Sequence, residues 1–224
     1  MRQVTTLMTG VPIDPADTPT APRLPDDSSM TAAQRRVLVS CLRLFAENGY
    51  AASSMRDIAE EAGVKAATLY KHFPNKEALL ARLCVLGHET YLQRITAVCL
   101  TTGPDARAQL REIVTCHVVS HCDYPELGVV CNAESRHLAA ADAAVVDALR
   151  GQLVSILRQV LQHGEEQGAF HQVRTEATLA AIGSMGVSVA RWFPLQTAFS
   201  ADELAADYAE LALRMVGAEP EGSA

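Results

Sequence analysis

Between Thr31 and Leu79 the apolar pattern is interrupted three times at close intervals, which leaves room only for short helices around tight turns. Thr31 and Gln34 form a capping box, after which Val37, Leu38, Cys41, Leu42 and Phe45 recur at helical spacing. Asn48-Gly49 is a stop signal. Ser54 with Asp57 caps a second, short helix carrying Ile58, Ala59 and Ala62. Gly63 supplies the backbone freedom for a turn, and a third short helix follows through Leu69 and Phe73. Pro74-Asn75 ends it, and Asn75 caps a long fourth helix reaching to about Leu100. Ala59 is small where the two short helices approach, and Val64, Leu69 and Phe73 point inward to fix their crossing.

The rest of the chain is also helical in pattern. Gly103-Pro104-Asp105 precedes one helix ending near Cys122, and Tyr124-Pro125-Glu126 starts another that fades near Ala140. Residues 142–167, Thr175 to Phe193 and Ser200 to Val216 supply three more, with Gly168 and Pro194 as breaks. Alanine and leucine are plentiful, aromatics are 5% of the chain, and no strand period or internal repeat appears. The expected fold is all-α: a three-helix head over residues 31–76, then a larger helical domain over 77–217. Residues 1–30, with Pro12, Pro15, Pro19, Pro22 and Pro25 and no apolar period, read as a disordered leader. Residues 218–224 read as a tail.

Charge divides the chain unevenly. The net charge is −7, yet Thr31 to Lys76 holds seven basic residues against four acids, leaving the head at +3 and the remainder at −10. A positive head on an acidic body suits contact with phosphates at one end only. No stretch supplies the ~20 apolar residues of a membrane span. The N-terminus lacks a basic-then-apolar export pattern, so the expectation is a cytoplasmic protein with reduced cysteines. No nucleophile–base spacing, phosphate loop or cofactor fingerprint appears, so neither an enzyme nor a cofactor is expected.

On the outer face of the third helix stand Lys65, Ala66, Thr68, Tyr70, Lys71 and His72. Such a helix can enter the major groove of double-stranded DNA with its first turn at base edges. Tyr70, His72 and Ser54 can bond phosphate oxygens, and Lys76 stands where another phosphate would pass.

The ordered string from Leu44-Phe45-Ala46-Glu47-Asn48-Gly49-Tyr50 through Ser54–Val64 to Thr68–Leu79 resembles the TetR family of bacterial regulators. The resemblance covers residues 34–83. It implies an all-α homodimer of about nine helices that represses from a palindromic operator. It also implies release when a small hydrophobic or amphipathic effector enters the C-terminal domain. By position, Ser54, Thr68, Tyr70, His72 and Lys76 match the family's phosphate-contacting places. Arg56, Lys65, Ala66, Ala67 and Lys71 match places that touch bases. Lys65 departs from the serine that caps the third helix in many members, and the two alanines offer only methyl contacts.

In the C-terminal half, Tyr124–Leu127 with Glu134–Leu138, and Arg191-Trp192-Phe193 with Ser200–Ala205 and Tyr208, resemble a subgroup that senses coenzyme A thioesters. The residues expected to line a ligand pocket are Leu110, Val114, His117, His121, Met185, Val189 and Trp192. The resemblance makes the last two helices a dimer interface, through Thr178, Ile182, Leu204, Tyr208 and Leu211, with small residues such as Gly183 and Gly186 allowing close approach. His117 and His121 at i, i+4, flanked by Cys116 and Cys122, and Cys84 with His88, have zinc-ligand spacing. A metal- or redox-sensing regulator is therefore the alternative to a polar patch in the ligand cavity.

Overall fold

The computed structural model describes residues 22–171, 173–195 and 198–219. These form nine α-helices and no strand among the described residues: α1 (Ala32–Asn48), α2 (Met55–Glu61), α3 (Ala66–His72), α4 (Lys76–Thr102), α5 (Ala106–Asp123), α6 (Pro125–Ala133), α7 (Ala140–Glu166), α8 (Thr175–Trp192) and α9 (Ala201–Met215). A 3-10 turn at Ser135–His137 joins α6 to α7.

The helix starts follow from their caps. Thr31 with Gln34, Ser54 with Asp57 and Ser200 with Glu203 each close a reciprocal capping box, on α1, α2 and α9 respectively. The Asn75 side chain accepts from the Ala78 N–H at 2.8 Å and opens α4. Asp105 accepts from the N–H groups of Arg107 and Ala108 to open α5.

Two apolar cores divide the molecule. One joins α1, α2, α3 and the first turns of α4 to Leu127, Val130 and Cys131 of α6. The other gathers α5, α7, α8 and α9 around Ile95 of α4. The core of the three-helix head therefore continues past residue 76 into α4 and α6, and α1 packs directly on α6. One uninterrupted α4 serves both cores.

The leader is ordered where it is described. Leu24 is buried in the core of the head, and Pro25 is buried beside it. Arg35 of α1 donates to the carbonyls of Leu24 (2.6 Å) and Pro25 (2.9 Å), while Asp27 pairs with Arg82 of α4. Residues 22–30 thus form a strap across α1 and α4, within the stretch expected from composition as a leader. Residues 1–21 of the expected leader lie outside the described residues, as do 220–224 of the expected tail.

Candidate nucleic-acid interface and interior cavity

The turn between α2 and α3 is built by its backbone. Gly63 adopts φ +63°, its N–H donates to Glu60 at 3.1 Å, and the Val64 N–H donates to Ala59 at 3.0 Å. Those two bonds are a Schellman closure, which needs a left-handed residue where Gly63 stands. The short α3 then rests on a single fully buried side chain, Leu69, with Phe73 buried just beyond its end.

Anchored there, α3 turns the rest outward. Lys65, Ala66, Ala67, Thr68, Tyr70 and Lys71 are exposed, and His72 is half-buried. Tyr70 is 54% exposed, too open for a packing residue. Lys65 gives α3 no side-chain cap, as its departure from serine leads one to expect. Ser54 and Arg56 at the start of α2 are exposed too. The Ser54 hydroxyl is engaged within the cap, donating to Asp57 Oδ2 at 2.7 Å, and this hydrogen bond holds the Asp57 carboxyl below its ordinary range. Arg56, Lys65 and Lys71 have no ion-pair partner among the described residues, whereas Arg43 is tied to Glu61 and Arg35 to Asp26.

Lys76 is placed differently from the others. Its Nζ donates to the carbonyls of Tyr50 (2.6 Å) and Ser53 (2.8 Å) and lies 4.1 Å from the centre of the Tyr50 ring. Two of the three ammonium donors thus hold the loop between α1 and α2 onto the first turn of α4. Lys76, expected from the sequence as a phosphate contact, is tied to the loop by two donors and keeps the third.

A cavity of about 320 Å³ lies between α4, α5, α6, α7 and α8, with Pro25 of the strap in its wall. Of the expected lining residues, His117 and His121 stand in it. Leu110, Val114 and Val189 do not: all three are buried in the core, and Met185 and Trp192 pack against the same core. The physical reason is that α5 and α8 are buried on several sides, so an apolar position need not face the cavity. Tyr91, Arg94 and Ile95 from α4 and Arg150 and Leu153 from α7 form wall that no pattern in the sequence marks.

The expected interface residues also divide. Ile182 is 2% exposed and lines the cavity, while Thr178 and Leu204 are each 5% exposed within the protomer. These three are largely enclosed within the protomer, facing its own core and cavity. Tyr208 is half-buried against the core, and Leu211 is 46% exposed. Gly186 is small for an internal reason, since a side chain there would collide with the His117 imidazole.

Three histidines of the cavity have their tautomers set by backbone carbonyls. His88 Nδ1 lies 2.7 Å from the Cys84 carbonyl, His121 Nδ1 2.9 Å from that of His117, and His117 Nε2 3.3 Å from that of Gly183. A carbonyl only accepts, so each of these nitrogens carries the proton. Burial lowers the pKa of all three, His117 to about 3, so they are neutral near pH 7. The Cys84–His88 spacing thus serves a backbone bond. Among the described residues no group of three or more His, Cys, Asp or Glu is placed to hold a metal ion. Burial pushes the thiols of Cys41, Cys99, Cys116 and Cys122 up, Cys122 to about 12, which disfavours the reactive thiolate. Cys84 differs, because its hydrogen bond with Cys131 lowers its pKa.

Arginines frame the cavity and are already paired. Arg94 donates to Ser120 Oγ and Asp123 Oδ2, each at 3.1 Å, and to the Tyr124 hydroxyl at 3.3 Å. Arg150 donates to His88 Nε2 and to the Cys131 carbonyl, each at 3.0 Å.

Known proteins resemble both parts of the chain. The family model for bacterial regulatory proteins of the tetR family matches residues 37–83, and that for the tetracyclin repressor-like C-terminal domain matches residues 103–216. The HTH-type transcriptional repressor KstR2 of Rhodococcus jostii (strain RHA1) is 25% identical over 196 residues, 87% of this chain and 96% of that one. A tetR-family regulatory protein from Rhodococcus RHA1 superposes with a TM-score of 0.79 at 33% identity, covering 85% of this chain and 100% of the other. AibR, solved with isovaleryl coenzyme A and operator DNA, shares the fold with a TM-score of 0.70 at 22% identity, over 83% of this chain and 98% of its own. With its head and its helical body both matched, this chain belongs to the TetR family of transcriptional regulators.

Proposed function

We propose that the protein is a cytoplasmic repressor that binds a palindromic operator as a homodimer and is released by a small apolar or amphipathic effector held in the interior cavity. The observation that carries this reading is the outward face of α3: exposed cations, hydroxyls and methyl groups mounted on one buried leucine. Lys65, Ala66, Ala67, Lys71 and Arg56 are the candidates for base contact. Thr68, Tyr70, His72 and Ser54 are those for phosphates. The division into a DNA-binding head (31–76) and a ligand-binding and dimerising body (77–217) belongs to the same proposal.

Two connections can carry a signal from cavity to head. α4 holds the head through Lys76 and lines the cavity through Gly87, His88, Tyr91 and Arg94. The strap has Leu24 in the head and Pro25 in the cavity wall. An effector that moves either changes the separation of two heads, which must sit about 34–36 Å apart to enter successive major grooves. It does so only through its preference for one state, and a 10⁴-fold preference is worth about 5.5 kcal/mol. The exposed faces of α8 and α9, including Ala180, Ser184, Leu211 and Met215, are the proposed dimer surface.

A coenzyme A thioester is the second reading for the effector, supported by the isovaleryl coenzyme A bound to AibR. Selection from a random pool of duplexes tests the main reading: it should return an inverted repeat whose half-site centres lie on one face of the helix. A protein that is monomeric, or that selects no sequence at low salt, refutes it. Native mass spectrometry of the purified protein would reveal a retained thioester.

A further inference from the structure

The cavity has an unusual polar wall. His117 is 7% exposed, lines the cavity, and has its Nδ1 buried with no hydrogen-bond partner among the described residues. Its proton lies on Nε2, facing Gly183, so Nδ1 is a lone-pair acceptor. His121, packed edge-on at 4.6 Å between ring centres, has its proton on Nδ1, facing the His117 carbonyl, which leaves Nε2 an acceptor as well. The third imidazole, His88, already receives a donor from Arg150. The two neighbouring imidazoles of α5, both in the cavity wall, therefore each keep an acceptor nitrogen, that of His117 being buried, while Arg94 and Arg150 donate to Ser120, Asp123, Tyr124, His88 and Cys131.

Charge narrows the choice. Arg94 is matched by Asp123, while Arg150 spends its hydrogen bonds on the neutral His88 and the Cys131 carbonyl and has the Asp147 carboxylate at 3.9 Å. A carboxylate driven against His117 and His121 would meet lone pairs, with both cations of the wall already engaged. The surrounding wall is apolar, with Ile95, Ile113, Leu153, Leu157 and Ile182.

We infer that the effector is an uncharged, largely apolar molecule bearing a hydroxyl or N–H group, which donates a hydrogen bond to the His117–His121 pair. The inference rests on the cavity being the effector site and adds the chemical class of its occupant. It favours a small uncharged effector over a coenzyme A thioester, which carries charged phosphates and whose thioester carbonyl only accepts. Burying an acceptor without a partner is unfavourable, and a ligand that supplies the donor removes that deficit, whereas one that lacks it does not.

The test uses the full chain and matched probes: n-octanol, methyl octyl ether and octanoate, titrated by calorimetry at neutral pH. The alcohol should bind about tenfold or more tightly than the ether, the difference expected of one buried hydrogen bond. It should also bind more tightly than octanoate. In His117→Leu and His121→Phe, each checked for folding by circular dichroism, the alcohol's advantage should shrink to within about twofold. His121, half-buried, keeps the test valid if the His117 variant does not fold. Equal binding of alcohol and ether would overturn the donor claim while leaving the cavity as a binding site. Tightest binding of octanoate would overturn the uncharged character. Failure of all three to bind would remove the cavity reading and this inference together.

Discussion

The imidazole of His117 occupies the space that any side chain at position 186 would need. A Cβ built on Gly186 would fall on the ring, with Nε2 its nearest atom, whereas one built on Gly183, a turn earlier on α8, meets nothing within 4 Å. α5 and α8 are locked here by a contact that tolerates no added methyl. Gly186→Ala should therefore displace the ring from the Gly183 carbonyl and destabilise the protein by about 1–3 kcal/mol, as overpacking does. Gly183→Ala should leave stability unchanged or raise it by up to about 1 kcal/mol through helix propensity. Chemical denaturation of the two variants makes the comparison, and equal loss in both would contradict it.

Tyr70 and Lys76 should both matter to operator binding, for different reasons. Tyr70→Phe removes a hydroxyl from an exposed ring, so it should weaken binding on every duplex and leave the melting temperature unchanged. Lys76→Met removes two charged hydrogen bonds to the Tyr50 and Ser53 carbonyls. It should lower stability by at most about 1.5–3 kcal/mol per bond and weaken DNA binding as a consequence of loosening the loop. Gel shifts and thermal melts on both variants distinguish contact from positioning.

Acidification should destabilise the body through its buried imidazoles. The pKa of folded His117, His88 and His121 is depressed by burial, that of His117 from 6.5 to about 3. The unfolded chain then binds more protons than the folded one between those limits. The stabilising contribution of His117 is therefore complete above pH 6.5 and falls as pH drops toward 3. Within that window such a histidine removes up to about 1.4 kcal/mol per pH unit. Stability followed from neutral pH into the acid range should fall, and His117→Leu should flatten the slope.

Much of the head is legible in the sequence because its signals are local. The Thr31, Ser54 and Asn75 caps, the Gly63 turn and the bare start of α3 each depend on a few neighbouring residues, and the structure has them. The body is less legible. Periodicity shows that Ile182 and Leu204 belong to apolar stripes but not which helix covers each stripe, and both are enclosed within the protomer. Lys76 reads as a surface cation because nothing in its surroundings announces two carbonyls 23 and 26 residues earlier in the chain. The strap leaves no mark for a similar reason: isolated buried side chains such as Leu24 make no period.

That strap offers the last test. Leu24 is 3% exposed, and its carbonyl and that of Pro25 are held by Arg35. Leu24→Ala should cost about 2–5 kcal/mol, the range for a buried leucine, although the residue lies in a stretch that composition marks as disordered. Arg35→Ala should release both carbonyls and cost less, since the apolar contact of Leu24 remains. If the strap also couples cavity to head, either change should alter operator affinity without touching α3. Denaturation and gel shifts on the pair test both points, and a Leu24→Ala protein as stable as wild type would show that the strap does not hold the head.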